Sequence, residues 1–103
     1  MRLPRQVYAI RHNVTGRTYI GSSKDVHRRY AHHLCLLRRG LHPVEDMQRD
    51  YDDHGENYSF HILADILKFE ERHKEYELMR KYNTMTRGFG YNYKDHVKGA
   101  AYK

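Results

Sequence analysis

The chain has 103 residues, which fit one domain and leave no length for a second core. Lysine and arginine outnumber aspartate and glutamate by 19 to 13, which favours a polyanionic partner without proving one. The single cysteine, Cys35, excludes an internal disulfide and a cysteine-based zinc site, and no apolar run is long enough to span a membrane. We therefore expect a cytoplasmic protein with no membrane partner.

Residues 6–22 predict a β-hairpin, with the strands VYAIR and RTYIGS joined by a turn in HNVTG. In the expected register Tyr8 lies opposite Gly21, and Ile10 lies opposite Tyr19. Tyr8 and Tyr19 then become diagonal neighbours whose phenols point to the same face of the hairpin.

A helix is predicted next, from a cap at Ser23 or Asp25 to a stop at Gly40. Its apolar residues recur at helical spacing and form a core-facing stripe of Val26, Tyr30, Leu34 and Leu37. Arg29 and His33 lie one turn apart along an edge of this stripe. The far side carries further basic residues, namely Arg28, His32 and Arg39. The helix therefore has an inward-leaning polar pair and an outward basic face.

Three more elements follow along the chain. PVEDMQRDYDDHG predicts a short helix that starts at Pro43, stops at Gly55 and buries Val44, Met47 and Tyr51. YSFHILADI predicts a strand, with one side formed by Tyr58, Phe60, Ile62 and Ile66. The last helix is predicted from Phe69 to about Asn83, with an apolar stripe of Phe69, Tyr76, Met79 and Tyr82. Loop glycines, Gly88 and Gly90, come next, and residues 93–103 are expected to fray.

Glu75 falls on the apolar face of this last helix, where an unpaired carboxylate is costly. One interpretation is a salt bridge with Arg72 or Lys68. The other is a metal site, because a hard cation such as Mg²⁺ needs only one or two protein carboxylates when a phosphate supplies another oxygen. Spacing alone leaves both interpretations open.

Each of the other polar candidates also has two interpretations. Arg29 suits bidentate contact with a phosphate, but an arginine in this place also packs its stem and reaches into solvent. His33 is either an ordinary packed or surface histidine or a site residue beside Arg29, close to where Tyr8 and Tyr19 point. Tyr8 and Tyr19 are either core aromatics or proton acceptors, which would need nearby cations because an unperturbed phenol has a pKa of about 10. A zinc site is disfavoured, because the predicted helix does not space its histidines to put two ligands on one face. These histidines are His27, His32 and His33.

Taken together, these positions resemble a known family. VYAI and TYIG, with ten residues between Tyr8 and Tyr19, resemble the paired signature of the GIY-YIG nucleases. The polar positions that follow fall in the order found in that family, and in its phage homing endonuclease branch in particular: Arg29, His33, His42, Glu75 and Asn92. The resemblance covers residues 6–92.

The resemblance implies an α+β fold, in which a small three-stranded antiparallel sheet is flanked by helices, with a nuclease domain over residues 1–92 and a tail over 93–103. It implies a divalent-metal-dependent DNA endonuclease in which Glu75 binds one Mg²⁺ or Mn²⁺ ion and Arg29 contacts the scissile phosphate. Tyr8 would activate the attacking water, although an alternative family mechanism uses a tyrosine as the nucleophile. Tyr19 would support this step, with His33 and Asn92 as auxiliary residues of the site.

Some features depart from the family pattern or stay open. Gln6 opens the first motif where the family has glycine, Leu78 stands where it often has tryptophan, and the chain ends soon after Asn92.

The DNA backbone is expected to contact a basic set of Lys24, Arg28, Arg38, Arg39 and His42, with Arg17 as a further candidate. A monomer would nick one strand, and cutting both strands would need a dimer, a second visit or a reorientation. The rival hypotheses are a catalytically inactive nucleic-acid-binding module and a repair, recombination or restriction nuclease with the same chemistry.

Overall fold

A computed structural model describes residues 5–66, 71–85 and 90–92 of the chain. Within these residues, three strands and three helices follow one another as β1 (Arg5–His12), β2 (Thr18–Ser23), α1 (Val26–Arg38), α2 (Glu45–His54), β3 (Tyr58–Ile66) and α3 (Glu71–Lys81). The strands form one sheet in the order β2-β1-β3, and both pairings are antiparallel. The fold is the expected α+β arrangement of a three-stranded antiparallel sheet with flanking helices.

The register of the hairpin is the one that the sequence predicts. Tyr8 pairs with Gly21 and Ile10 pairs with Tyr19. Where the turn closes, the N–H of His12 donates to the carbonyl of Arg17 at 2.9 Å. The rings of Tyr8 and Tyr19 therefore share a face of the sheet, with centroids 6.3 Å apart.

The sheet buries apolar side chains on both faces. Beneath α1 and α2 lies the first core, made of Tyr8, Ile10, Tyr19, Val26, Leu37, Val44, Met47 and Tyr91. Against α3 lies the second core, made of Val7, Ala9, Ile20, Ile66, Leu78 and Met79. Because side chains alternate along a strand, consecutive residues of β1 and β2 supply opposite cores.

Helix α1 has the ends and faces that the sequence predicts. The carboxylate of Asp25 accepts the N–H of Arg28 at 3.1 Å, which caps the first turn. Gly40 follows the helix with φ +73°, a conformation that favours glycine. The predicted apolar stripe packs in or against the first core. His33 is buried and Arg29 is half-buried, whereas the outward basic residues Arg28, His32 and Arg39 are exposed.

Helix α2 begins later than predicted, at Glu45 instead of Pro43. Val44 is extended, with φ −87° and ψ 104°, and its N–H donates to the Nδ1 atom of His42 at 3.1 Å. This conformation keeps Val44 and the preceding proline outside the helix. The inward face is as predicted, since Val44 and Met47 are buried and Tyr51 packs against them.

Strand β3 does not keep one apolar side along its whole length, which corrects the prediction for Ile66, whereas Ile62 pairs with Tyr8 and lies on the predicted side. Val7 pairs with Ala64 but Tyr8 pairs with Ile62, so β3 carries one extra residue at this bulge. The alternation of side chains therefore switches. Tyr58 and Phe60 pack against the first core, Ile66 belongs to the second core, and Ile62 is 44% exposed.

The apolar face of α3 also differs from the prediction. Tyr76 and Tyr82 are 42% and 48% exposed, because a phenol tolerates water at its polar end. Glu75 and Met79 are buried as predicted, and Leu78 joins them on the buried side of the helix.

Several predicted features lie outside the described residues, namely Lys68, Phe69, Gly88, the side chain of Arg72 and the tail 93–103. In the part of the chain that is described, no helix is long and apolar enough to cross a membrane.

Candidate active site

Three aromatic side chains from three different elements meet in the first core. Tyr8 comes from β1, Tyr19 from β2 and His33 from α1, and they are 1%, 4% and 8% exposed. The ring of His33 lies 6.1 Å from that of Tyr8 and 5.1 Å from that of Tyr19, between centroids. The hydroxyl of Tyr8 lies 3.1 Å from the Nε2 atom of His33, within hydrogen-bond distance.

Gly21 makes room for this arrangement. A Cβ atom at residue 21 would lie 2.6 Å from the Tyr8 hydroxyl oxygen and 3.0 Å from the Cε2 atom of Tyr19. Any side chain there would push both phenols away from their present positions. The glycine of TYIG is therefore required by the close approach of the two tyrosines.

His42 is a second buried histidine, directly behind His33. Its Nε2 atom lies 2.8 Å from the Nδ1 atom of His33, and the two rings are stacked with centroids 5.0 Å apart. The backbone N–H of His42 donates to the side-chain oxygen of Gln48 at 3.0 Å. Because His42 is only 7% exposed, its position does not support the expected contact with DNA. The sequence gives no sign of the His33–His42 contact, which depends on the path of the loop after α1.

Both histidines are neutral at neutral pH. Burial lowers the pKa of His33 to about 3, and the neighbouring basic groups His42, Arg29 and His32 act in the same direction. Burial, with His32 nearby, lowers the pKa of His42 to about 4. The imidazole pair therefore offers hydrogen-bonding atoms without adding positive charge to the site.

Arg29 lies at the solvent side of this cluster. It lines a surface depression together with Ser23, Asp25, Arg28 and His32. Among residues 5–66, 71–85 and 90–92, its guanidinium has no ion-pair or hydrogen-bond partner. A half-buried arginine with an uncommitted guanidinium beside His33 is suited to bind an anion.

Glu75 reaches the end of β2 from the other face of the sheet. It is 3% exposed, and the hydroxyl of Ser22 donates a hydrogen bond to its carboxylate. Ser22 directly follows Gly21, so Glu75 is linked to the strand end that carries Tyr19. The predicted salt-bridge partners, Arg72 and Lys68, have side chains outside the described part of the chain.

The residues around Glu75 decide which ion would fit. In the described residues no group of three or more histidine, cysteine, aspartate or glutamate side chains could hold a metal. A protein-only zinc cage is therefore not built there. One hard carboxylate oxygen donor fits an ion such as Mg²⁺ or Mn²⁺, which takes its remaining ligands from water and phosphate.

Asn92 is fully buried and holds strand β2 in place. Its Oδ1 atom accepts the N–H of Ile20 at 2.8 Å, and its Nδ2 atom donates to the carbonyl of Ile20 at 3.0 Å. The residues before it extend this contact, since the N–H of Tyr91 donates to the carbonyl of Thr18 at 2.9 Å. Asn92 thus positions the strand between Tyr19 and Gly21, with both polar ends of its amide already bonded.

The expected DNA-binding residues divide into an exposed group and one that is already paired. Lys24, Arg28 and Arg39 are exposed. Arg38 instead donates from Nε and Nη2 to the two carboxylate oxygens of Glu56, at 2.6 and 2.7 Å. Because this bidentate pair occupies its guanidinium, Arg38 is less available to a phosphate.

Asp50 is a buried polar residue that the sequence did not single out. Arg17 donates to it from Nη1 at 2.7 Å, and the hydroxyl of Tyr91 donates at 2.6 Å. Asp50 thereby joins the hairpin turn, α2 and the segment that carries Asn92. Arg17 is committed to this pair and is a structural residue in this arrangement.

Comparisons with known proteins confirm the family resemblance found in the sequence. A family model described as GIY-YIG catalytic domain matches residues 5–92. Intron-associated endonuclease 1 of Enterobacteria phage T4 is 32% identical over 60 residues, which make up 58% of this chain and 24% of that protein. The chain thus spans about a quarter of the length of this curated relative.

Two solved structures resemble this one, and both are of the catalytic domain of intron endonuclease I-TevI. A mutant of that domain superposes with a TM-score of 0.79 at 26% identity, over 87% of this chain and 93% of that one. The second structure gives a TM-score of 0.76 at 26% identity, over 84% of this chain and 95% of that one.

Proposed function

Since the chain belongs to the GIY-YIG family, we propose that it is a DNA endonuclease that hydrolyses phosphodiester bonds with the help of a divalent metal ion. The observation that carries this proposal is the placement of the Tyr8 hydroxyl. It is packed over Gly21 and lies within hydrogen-bond distance of His33, which interacts electrostatically with Arg29. The Arg29 guanidinium has no ion-pair or hydrogen-bond partner in the described residues. Relatives of this chain are named as endonucleases, which supports the same reaction class.

Arg29 is proposed to bind the scissile phosphate. Its guanidinium donates in a planar fork, which matches two phosphate oxygens and stabilises the negative charge that grows there during cleavage. Burial of its neighbours keeps water away from part of this site, which strengthens the interaction. Losing one such donor typically costs about 10² to 10³ in rate.

Glu75 is proposed to hold one divalent ion, either Mg²⁺ or Mn²⁺. When bound, such an ion would neutralise charge on the phosphate and help to orient it. The hydroxyl of Ser22 fixes the carboxylate by a hydrogen bond, so this ligand is held in one orientation. The single carboxylate leaves coordination positions for water and for DNA.

Tyr8 is proposed to take the proton of the attacking water, with Tyr19 packed beside it as support. The alternative, in which a tyrosine oxygen attacks phosphorus directly, uses the same hydroxyl. Replacing Tyr8 with phenylalanine removes only that oxygen. A covalent protein–DNA adduct, trapped by denaturing the reaction, would mark the second mechanism.

Lys24, Arg28 and Arg39 are proposed to contact the phosphate backbone, which positions DNA without reading its bases. Arg38 does not belong to this set because its guanidinium is bonded to Glu56. His42 does not belong to it because its side chain is buried. We place the activity in the cytoplasm of a bacterium or a phage-infected cell. A monomer has one such site and would nick one strand.

The test is an incubation of the purified protein with supercoiled plasmid, single-stranded DNA and branched DNA, with Mg²⁺ or Mn²⁺ and with chelator controls. We expect cleavage of at least one substrate, which chelator abolishes. Arg29→Ala should lower the rate by about 10²-fold or more. Arg80→Ala, which removes an exposed charge from α3, is the matched control. A protein that binds DNA but cleaves none of the substrates would instead be the inactive binding module.

A further inference from the structure

A continuous chain of hydrogen bonds connects a backbone N–H to the hydroxyl of Tyr8. The N–H of Val44 donates to the Nδ1 atom of His42 at 3.1 Å. The other ring nitrogen of His42, Nε2, lies 2.8 Å from the Nδ1 atom of His33. The Nε2 atom of His33 then lies 3.1 Å from the hydroxyl oxygen of Tyr8. All three side chains in this chain are at least nine-tenths buried.

The backbone N–H of Val44 determines which ring nitrogen of each histidine carries the hydrogen. Val44 can only donate, so the Nδ1 atom of His42 must accept and carries no hydrogen. A neutral His42 then carries its hydrogen on Nε2 and donates it to the Nδ1 atom of His33. By the same rule, His33 carries its hydrogen on Nε2 and donates it to the oxygen of Tyr8.

The opposite direction of donation is unfavourable, whether His33 alone or both histidines change tautomer. In each case one pair of donors faces each other. If Tyr8 donated its hydrogen to His33, the hydrogen of His33 would sit on Nδ1 and face the Nε2–H of His42 at 2.8 Å. Reversing His42 as well would set its Nδ1–H against the N–H of Val44 at 3.1 Å. Two donors facing each other leave buried polar groups unsatisfied, at a cost of about 1–3 kcal/mol for each.

We propose that His42 is a positioning residue, which Val44 locks in one tautomer and which thereby makes His33 a permanent hydrogen-bond donor to the oxygen of Tyr8. This inference rests on the proposed function, because Tyr8 is the hydroxyl that the reaction uses. A donor aimed at a phenolic oxygen favours the phenolate over the phenol. The low pKa values of both histidines, caused by burial, keep the pair neutral and its polarity unchanged at neutral pH.

The pair therefore stabilises the charged form of Tyr8 but does not carry its proton away. The one basic nitrogen of His33 is occupied by the hydrogen of His42, so His33 cannot accept a proton from Tyr8 unless both tautomers reverse. When the Tyr8 phenolate acts as the base, an O–H bond of water breaks and the proton forms a new O–H bond on Tyr8. The water oxygen bonds to phosphorus, and the P–O bond to the leaving oxygen of the DNA breaks. The histidines keep their own protons throughout this step.

The first test reads the tautomers directly and requires no activity. Long-range ¹H–¹⁵N correlation spectra of the unaltered protein, labelled at histidine and recorded at pH 7, distinguish the Nε2–H form from the Nδ1–H form of each ring. We expect Nε2–H for both His33 and His42. An Nδ1–H or doubly protonated form of either ring would overturn the inference, whether or not the protein cleaves DNA.

The second test links the tautomer to the reaction. His42→Asn keeps an acceptor near the N–H of Val44 but removes the donor to His33, so the His33 spectrum should show a mixture of tautomers. Single-turnover cleavage should fall by about 10-fold or more, as for other residues that orient a catalytic group. His61→Asn, at an exposed histidine of β3, is the control and should change neither readout.

A double-mutant comparison separates this role from general support of the fold. His33→Gln replaces the ring with an amide that donates to Tyr8 without help from His42. In that background, the further change His42→Asn should cost less than about 3-fold in rate. Two results would overturn the positioning role. One is an equal loss of cleavage rate from His42→Asn in both backgrounds, and the other is no loss of rate in the unaltered background. Loss of cleavage by every protein, with the expected tautomers, would refute the proposed function and not this inference.

Discussion

Lowering the pH from 7 to 5 is expected to destabilise the fold through its two stacked histidines. Burial holds the pKa of His33 at about 3 and that of His42 at about 4, well below the ordinary value of 6.5. Below pH 6.5 the unfolded chain binds protons that the folded chain does not. The free energy of unfolding therefore falls as the pH drops below 6.5, and the loss is complete only near the folded pKa values.

The size of this effect depends on how far the pH lies below 6.5, the ordinary pKa of histidine. Each pH unit costs about 1.4 kcal/mol for each group that stays neutral when folded. At pH 5 that amounts to about 2 kcal/mol for each ring and about 4 kcal/mol for the pair. Small domains are stabilised by only about 5–15 kcal/mol, so this loss is large. His12, whose pKa is also lowered by burial, adds to it in the same direction.

The assay is urea unfolding followed by circular dichroism at several pH values between 7 and 5. The unaltered protein should lose several kcal/mol over this range, whereas the double variant His33→Gln, His42→Gln should lose much less. A change at the exposed His61 should leave the pH dependence as it was. If the unaltered protein were equally stable at pH 7 and pH 5, to within about 1 kcal/mol, the burial argument for the two neutral rings would be refuted.

Four further substitutions test other parts of the site. Gly21→Ala should lower cleavage by about 10-fold or more with DNA affinity retained, because its methyl group overlaps the phenol of β1; cleavage and binding assays on one preparation check this. Asn92→Ala should destabilise the fold by about 1–3 kcal/mol, because the buried N–H and carbonyl of Ile20 lose their partner; thermal unfolding measures the loss. Arg28→Ala should reduce the dependence of DNA affinity on salt by about one phosphate contact, and Arg38→Ala by less, because Glu56 already binds that guanidinium; salt titrations compare the two slopes.

The local parts of the fold could be predicted from the sequence. The alternation of VYAIR and RTYIGS sets the register of the hairpin, and it puts Tyr8 beside Tyr19 as expected. Helical spacing likewise separates His33 and Arg29 from the exposed basic side of α1. Both patterns depend on residues close in the chain, so periodicity is enough to place them.

The parts that failed depend on contacts between distant residues. Whether Ile66 faces one core or the other depends on a bulge against Val7 and Tyr8, which lie more than fifty residues earlier. The exposure of Tyr76 and Tyr82 depends on how α3 settles on the sheet. Periodicity within one segment carries no information about either.

The candidate site shows the same division. Motif order identified the polar positions, including His42, but gave no sign that this ring lies behind His33 and not at the DNA surface. Nor did spacing show that Asn92 is bonded at both ends of its amide to Ile20. These contacts require the loop after α1 and the segment at 90–92 to fold back on the sheet, which only the tertiary structure specifies.

DNA cleavage is expected to depend on a divalent ion that Glu75 holds. To test this dependence, cleavage of supercoiled plasmid by Glu75→Ala is measured over a range of Mg²⁺ concentrations, with DNA affinity determined on the same preparation. Glu77→Ala, at an exposed carboxylate of the same helix, is the matched control. We predict that Glu75→Ala binds DNA but does not cleave it at any Mg²⁺ concentration, whereas Glu77→Ala cleaves normally. Cleavage at the unaltered rate by folded Glu75→Ala protein would contradict the proposed role of Glu75.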